Sequence, residues 1–188
     1  MKSQILRFML ATVAVTLSAA AVAHSGATPI VPSDAQKSFD TIKTLAGDWE
    51  GPVTVDPPQP DMAGGKLHVS MRVTSRGNTL VHEMQEAGTP LDPAKYDHPL
   101  TVVYLDGDHL NLVHYCDAGN RPRMVARSSS NGKTVEFDFA ELSGGTQYGH
   151  MDHAVFTIID ANHHTEDWTY MTPGDKPMHA HFDLVRSK

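Results

Sequence analysis

Two ionisable residues, His114 and Glu166, occupy positions that we expect to face inward from otherwise apolar strands. A carboxylate removed from water needs a partner, because burying an unpaired charge is costly. The two side chains could therefore anchor a polar group of a ligand, or contribute to a metal site, inside a pocket. The alternative is a structural hydrogen bond, which is the commoner role of buried polar groups.

Histidine is the unusual residue of this composition, since the chain contains 12 of them and all follow residue 23. Residues two apart on a strand leave the same face, so His179 and His181 could chelate a divalent metal if a third ligand joined them. We expect both on the outer face, where simple solvation is the alternative. His163 and His164 are adjacent and should point to opposite faces, which makes a poor chelate.

The remaining metal candidates lack a recognisable ligand spacing. His150 and His153 also diverge if their strand is regular. The weak metal candidates are His114, His153, His164 and Glu166. A metal or a haem would use some of these residues, but nothing in the sequence requires a cofactor. The many histidines could instead make the charge pH-sensitive, which predicts a midpoint near pH ~6 in stability or ligand release.

Cys116 lies two residues after His114, and a cysteine beside an activating base can act as a nucleophile. A small buried hydrophobe is the commoner role of a free cysteine, and no oxyanion donors are evident. Arg121 and Arg123, beside Asn120, could contact an anionic group or simply be solvated. The sequence contains no phosphate loop, hydrolase elbow, zinc-protease helix or haem-attachment motif. We therefore expect a protein that is not an enzyme.

One helix near the start of the fold should precede the strands that position these residues. Ser33 is a good N-cap, Gln36 completes a capping box, and Gly47 stands where a helix would end. The apolar stripe of this helix consists of Ala35, Phe39, Ile42 and Ala46.

Everything downstream of the helix alternates apolar and polar residues between turn signals, which predicts strands. We predict ten, at about 47–55, 66–74, 79–87, 99–105, 109–116, 122–129, 133–140, 151–159, 164–171 and 178–186. Many short strands at even spacing favour an antiparallel sandwich or a closed barrel. Two connections, 56–65 and 88–98, are long, as is typical of lids and binding loops.

The interior face follows from turn chemistry and the apolar pattern. Asn131-Gly132 predicts a two-residue hairpin. The expected pairs across it are Ser130 with Lys133, Ser128 with Val135, Ala126 with Phe137, and Met124 with Phe139. In the last hairpin we expect Trp168 opposite Phe182 and Glu166 opposite Leu184. The predicted ligand-binding residues are His114, Cys116, Met124, Phe137, Phe139, Glu166, Trp168 and Phe182.

The first 23 residues read as a secretory signal, with Lys2 and Arg7 before an apolar run and Ala21-Val22-Ala23 as the cleavage site. We expect a mobile leader over 24–32, one domain over 33–188, and a periplasmic or secreted location. The 188 residues contain 15 Lys and Arg against 22 Asp and Glu; without Lys2 and Arg7 the charge falls from −7 to −9. Such a charge argues against nucleic acid as a partner, and no later apolar run is long enough to span a bilayer.

Gly47-Asp48-Trp49, after a short helix, resembles the lipocalin and wider calycin pattern, in which a basic residue of the last strand packs over the tryptophan. Arg186 stands at that place and could form a cation–π contact with Trp49. Four later motifs resemble an uncharacterised family of exported bacterial lipocalin-like proteins. They are His114-Tyr115-Cys116, Gly119 to Met124, Gly149 to His153, and His163 to Trp168.

The resemblance implies an all-β closed antiparallel barrel of about ten strands with one N-terminal helix. Nitrobindin-like haem proteins share such a barrel, but their proximal histidine matches no single position here. Barrels of this size can hold one small ligand, so we expect non-catalytic binding of a small apolar or amphipathic molecule beneath the two long loops. The alternatives are a metal- or haem-dependent enzyme or sensor using interior His and Glu residues, and a scaffold that acts through a protein partner.

Overall fold

The computed structural model describes residues 31–60, 64–127 and 131–187. This part of the chain forms one helix, ten strands and a short 3₁₀ turn at Ser75–Gly77. The helix α1 spans Asp34–Lys43. The strands are β1 (Gly47–Asp56), β2 (Lys66–Thr74), β3 (Thr79–Glu86), β4 (Leu100–Asp106), β5 (His109–Tyr115), β6 (Arg121–Ala126), β7 (Thr134–Ser143), β8 (His150–Asp160), β9 (His163–Thr172) and β10 (Lys176–Arg186). The predicted signal (residues 1–23) and nearly all of the predicted leader lie outside the described residues.

Each strand pairs antiparallel with its neighbours in sequence, and β1 pairs with β10 to close the barrel. Closure leaves no strand edge with unpaired backbone groups, which is how a sheet of this size avoids edge-to-edge association. The predicted all-β closed barrel with one helix is confirmed.

Helix α1 begins where the sequence predicts, because the Ser33 hydroxyl accepts the backbone N–H of Gln36 at 3.1 Å. The second half of the capping box is absent, since the Gln36 side chain donates to Asp40 instead. The helix ends at Lys43, earlier than the expected stop, because the N–H groups of Leu45 and Ala46 bond three residues back and tighten the last turn. Gly47 instead begins β1.

The barrel has two unlike ends. Helix α1 packs against β4, β5 and β7, and its residues Phe39 and Ile42 are buried; we call this the helix end. Chain direction places the long connections after β1 and β3 at the opposite end, which we call the loop end.

The inward positions of the strands are largely as predicted. Strands β6 and β7 pair Ala126 with Phe137 and Met124 with Phe139, as predicted. Ser128 and Ser130, and with them the predicted tight turn, lie outside the described residues. Phe137 and Met124 are fully buried. Phe139 faces the same side as its buried register partner Met124, as predicted, but the residue is 38% exposed and packs against the ring of His150. Pairing of β7 with β8 ends at Asp138 and His153, so one side of Phe139 is left uncovered toward the loop end.

The predicted register of the last hairpin is wrong by two residues. Trp168 lies opposite Ala180, and Glu166 lies opposite Phe182. The turn is shorter than expected, since Thr172 pairs with Lys176 around a three-residue loop. Proline has no N–H to donate to a ladder, so Pro173 fits this loop better than a strand. A shift of two preserves which residues face inward, so Glu166, Trp168 and Phe182 are buried as expected.

Candidate functional site

The barrel interior holds a connected group of polar side chains, which we call the inner cluster: His82, His164, Glu166 and Trp168. The Glu166 carboxylate lies 3.0 Å from His82 Nε2 and 3.0 Å from His164 Nε2. It also accepts the indole N–H of Trp168 at 2.9 Å. Glu166 and His164 are fully buried and His82 is 1% exposed.

Strand alternation explains how this cluster forms. His164, Glu166 and Trp168 are two apart on β9, so all three face the interior. His82 comes from β3, between the buried residues Leu80 and Met84. The two strands are not neighbours in the barrel, so His82 reaches Glu166 across the interior.

The inner cluster keeps Glu166 ionised. Burial alone would raise the pKa of this carboxyl, but the charge of His82 and hydrogen bonds from His164 and His82 outweigh it and lower the pKa from 4.5 to about 2. Hydrogen bonds to a charged carboxylate favour its ionised form. Glu166 is therefore a buried carboxylate that its hydrogen-bond partners keep ionised, and not a protonated acid.

His114 is buried as predicted, but it does not bond to Glu166. Its Nδ1 lies 2.9 Å from the hydroxyl of Thr101. Burial, and then the charge of His82, lower the pKa of His114 from 6.5 to about 4, so the imidazole is neutral at physiological pH. His82 is thus the residue that sequence reasoning missed, although its place between two apolar alternating positions was a usable signal.

The helix end carries the residues of the Gly-x-Trp resemblance. The Arg186 guanidinium lies 4.0 Å from the centre of the Trp49 ring and donates to the Ala46 carbonyl at 2.9 Å. His164 also contacts Trp49: the two rings are nearly perpendicular, and their centres lie 4.3 Å apart. The cation–π contact expected from the sequence is present, and it continues directly into the inner cluster.

Gly47 is required by this contact for two reasons. Its φ of +139° is a conformation that other residues rarely adopt, and a Cβ there would lie 2.2 Å from Arg186 Nη1. A side chain at this position would therefore displace the guanidinium from Trp49.

A cleft of about 470 Å³ opens at the loop end, beneath the β3–β4 connection. It is lined by residues 93–98, Leu100 and residues 115–117. Cys116 is the one predicted ligand-binding residue among these. Met124, Phe137, Trp168 and Phe182 instead pack in the core, so the structure does not gather the predicted set around one cleft.

The environment of Cys116 is unfavourable for a nucleophile. Burial is the main cause that raises the pKa of its thiol, and the carboxylates of Asp97 and Asp117 raise it further. A reactive cysteine needs the opposite, an electropositive setting that favours the thiolate.

Arg123 and Asn120, which could have contacted an anionic ligand, instead form hydrogen bonds with other residues of the barrel. Arg123 donates to Glu141 at 2.9 Å and to Asn111 at 2.8 Å. Asn120 is buried and donates to the carbonyls of Gly145 and Gly149. These contacts join the β5–β6 and β7–β8 loops, a structural role.

Among the described residues, three metal-ligating side chains come within 4.8 Å of one another at Glu136, Asp138 and His153. This group lies on the outer face of β7 and β8, and the Arg127 guanidinium already contacts Asp138 at 2.8 Å. His153 is thus separated from the other weak candidates His114, His164 and Glu166.

The divergence of His163 from His164 is confirmed, since His163 bonds Asp183 while His164 is buried. The strand of His150 and His153 is not regular, because its register shifts between Met151 and His153.

Comparison with known proteins supports the fold and goes no further. No protein-family model matches this chain, and no curated protein matches it either. Among solved structures, the chain is similar to Rv2717c from M. tuberculosis, with 15% sequence identity and a TM-score of 0.58 over 80% of this chain and 98% of that chain. It is also similar to a protein with unknown function from the DUF3598 family of Nostoc punctiforme PCC 73102, at 9% identity and a TM-score of 0.47. That match covers 78% of this chain and 49% of the other.

The likeness to Rv2717c concerns the fold alone, which in this chain is a closed ten-stranded barrel. Membership of a lipocalin or calycin family stays a prediction. Within the described residues, no helix combines the length and apolar character needed to cross a membrane.

Proposed function

We propose that this protein binds a small amphipathic molecule, without catalysis, at the loop end of its barrel. The observation that carries the proposal is the cleft of about 470 Å³ beneath the β3–β4 connection. Its volume falls in the range of about 300–1,000 Å³ that is usual for small-molecule sites.

The lining of this cleft suits a ligand with both apolar and polar parts. Pro93, Leu100 and the ring of Tyr96 offer apolar surface, while Asp97 and Asp117 offer carboxylates. Cys116 follows directly after β5 and lies between Tyr115 and Asp117 in the lining. Small-molecule sites commonly combine such apolar walls with a few polar groups.

The test is native mass spectrometry of the protein as isolated, followed by titration with the neutral fluorescent probe N-phenyl-1-naphthylamine. Cys116→Trp would fill the cleft and should abolish both the native adduct and probe binding. Val185→Trp is the matched control, because Val185 is 54% exposed on β10 near the helix end and should leave binding unchanged. A bare mass together with no probe binding by the wild type would refute the proposal.

We further propose that the protein is exported, with residues 1–23 acting as a signal and cleavage near Ala23. The basic flank, apolar run and small-x-small site support this proposal. N-terminal sequencing of the protein from a periplasmic extract should begin at His24. An N-terminus that retains Met1 in the exported fraction would contradict it.

A further inference from the structure

An open groove of about 330 Å³ crosses the outer face of β1, β10 and β9. Three residues from each strand line it, and the strand pairing arranges their outward side chains in two rows. Thr54, His181 and Asp167 form the first row, and Asp56, His179 and Thr169 form the second. The two histidines therefore stand side by side at the centre of the groove.

Each histidine is oriented by a hydrogen bond from β9. His181 Nδ1 lies 2.6 Å from the Asp167 carboxylate, and His179 Nδ1 lies 3.0 Å from the Thr169 hydroxyl. In an imidazole the two nitrogens point in different directions, so both Nε2 atoms are left available on the side away from β9. Metal-bound histidines commonly show this arrangement, with the second ring nitrogen held by a carboxylate or another polar group.

The third donor that the sequence lacked is supplied by β1. Asp56 is the register partner of His179 and lines the same groove. Within the described ranges, no Lys or Arg forms an ion pair with Asp56 or Asp167. Glu136 and Asp138 differ in this respect, because the Arg127 guanidinium lies next to both carboxylates.

We infer that the groove binds a borderline divalent transition metal such as Zn²⁺ through His179, His181 and Asp56, with Asp167 orienting His181. Two imidazoles and a carboxylate are a ligand set that Zn²⁺ accepts, with the fourth position open to water. The ligand atoms of His179, His181 and Asp56 do not all lie within 4.8 Å of one another, so a bound ion would have to draw them together by rotation of the exposed side chains. This site is independent of the proposed ligand cleft at the loop end.

The test is isothermal titration of tag-free, metal-stripped protein with ZnCl₂ at pH 7.5 in a non-chelating buffer. One equivalent of Zn²⁺ should bind, and His179→Ala, His181→Ala and Asp56→Asn should each abolish or strongly weaken that binding. Asp167→Asn should weaken it by about 10- to 100-fold, as expected for a residue that acts through a ligand.

Two histidine variants serve as matched controls for this titration. His163→Ala removes an outward histidine of β9 that lies outside the groove. His153→Ala removes the histidine of the Glu136, Asp138 and His153 group. Both variants should bind Zn²⁺ like the wild type. Thermal melts check that every variant is folded. Absence of binding by the wild type, or loss of binding in His153→Ala with full binding in His179→Ala, would overturn the inference.

Discussion

Glu166→Gln should strongly destabilise the protein, because the substitution keeps the shape of the side chain and removes its charge. Three N–H groups converge on this carboxylate, from His82, His164 and Trp168. A glutamine amide presents one oxygen and one NH₂ group, so at least one of these donors would face another donor. A histidine could move its proton to Nδ1, but the Nδ1 atoms of His82 and His164 are buried without a partner.

The magnitude follows from the burial of the cluster. Breaking a buried ion pair by removing one partner costs about 3–5 kcal/mol. For a domain of this size that loss corresponds to a fall in Tm of roughly 10 °C, at about 2–4 °C per kcal/mol. The matched control is Glu83→Gln, whose carboxylate is half exposed and 3.9 Å from Arg72. Exposed pairs contribute at most about 1 kcal/mol.

The assay is urea denaturation of wild type and both variants at pH 7, repeated at lower pH. The folded pKa of Glu166 is lowered to about 2, so its stabilisation is complete above the unfolded value near 4.5 and disappears as the pH falls through 2. The difference between wild type and Glu166→Gln should therefore shrink over this range. A loss below about 1 kcal/mol at pH 7, equal to that of Glu83→Gln, would refute the view that the cluster stores a paired charge.

Three further predictions concern other parts of the barrel. The pKa of His114 falls from 6.5 to about 4 on folding, so the unfolded state binds more protons between these two pH values. The free energy of unfolding should therefore rise by about 3 kcal/mol as the pH increases over this range. In urea denaturation, His114→Gln should flatten this pH dependence, and an unchanged slope would contradict the assignment. Gly47→Ala should lower the Tm by several degrees. A loss no larger than that of Gly107→Ala, at a turn with a φ of +56° where a Cβ meets open space, would argue against displacement of Arg186. Cys116 should react slowly with iodoacetamide at pH 8, because its thiol pKa is raised, and a rate equal to that in urea would show that the thiol is not protected.

Local pattern was sufficient for most of the fold. The Ser33 cap and the alternating strands depend on residues close in sequence, and both appear in the described part of the chain. The errors arose where one element depends on how far its neighbour extends. Phe139 alternates like a core residue, but its exposure was decided by where β8 stops pairing with β7.

The candidate sites show the same division. The sequence by itself identified Glu166 as an inward carboxylate in need of a partner, and His179 and His181 as a same-face pair in need of a third ligand, because alternation along one strand is a local property. It could not identify the partners. His82 lies 84 residues from Glu166, and Asp56 lies on the strand farthest in sequence from β10. Only closure of the barrel brings these residues together, since strand order and register are set by the packing of the whole sheet.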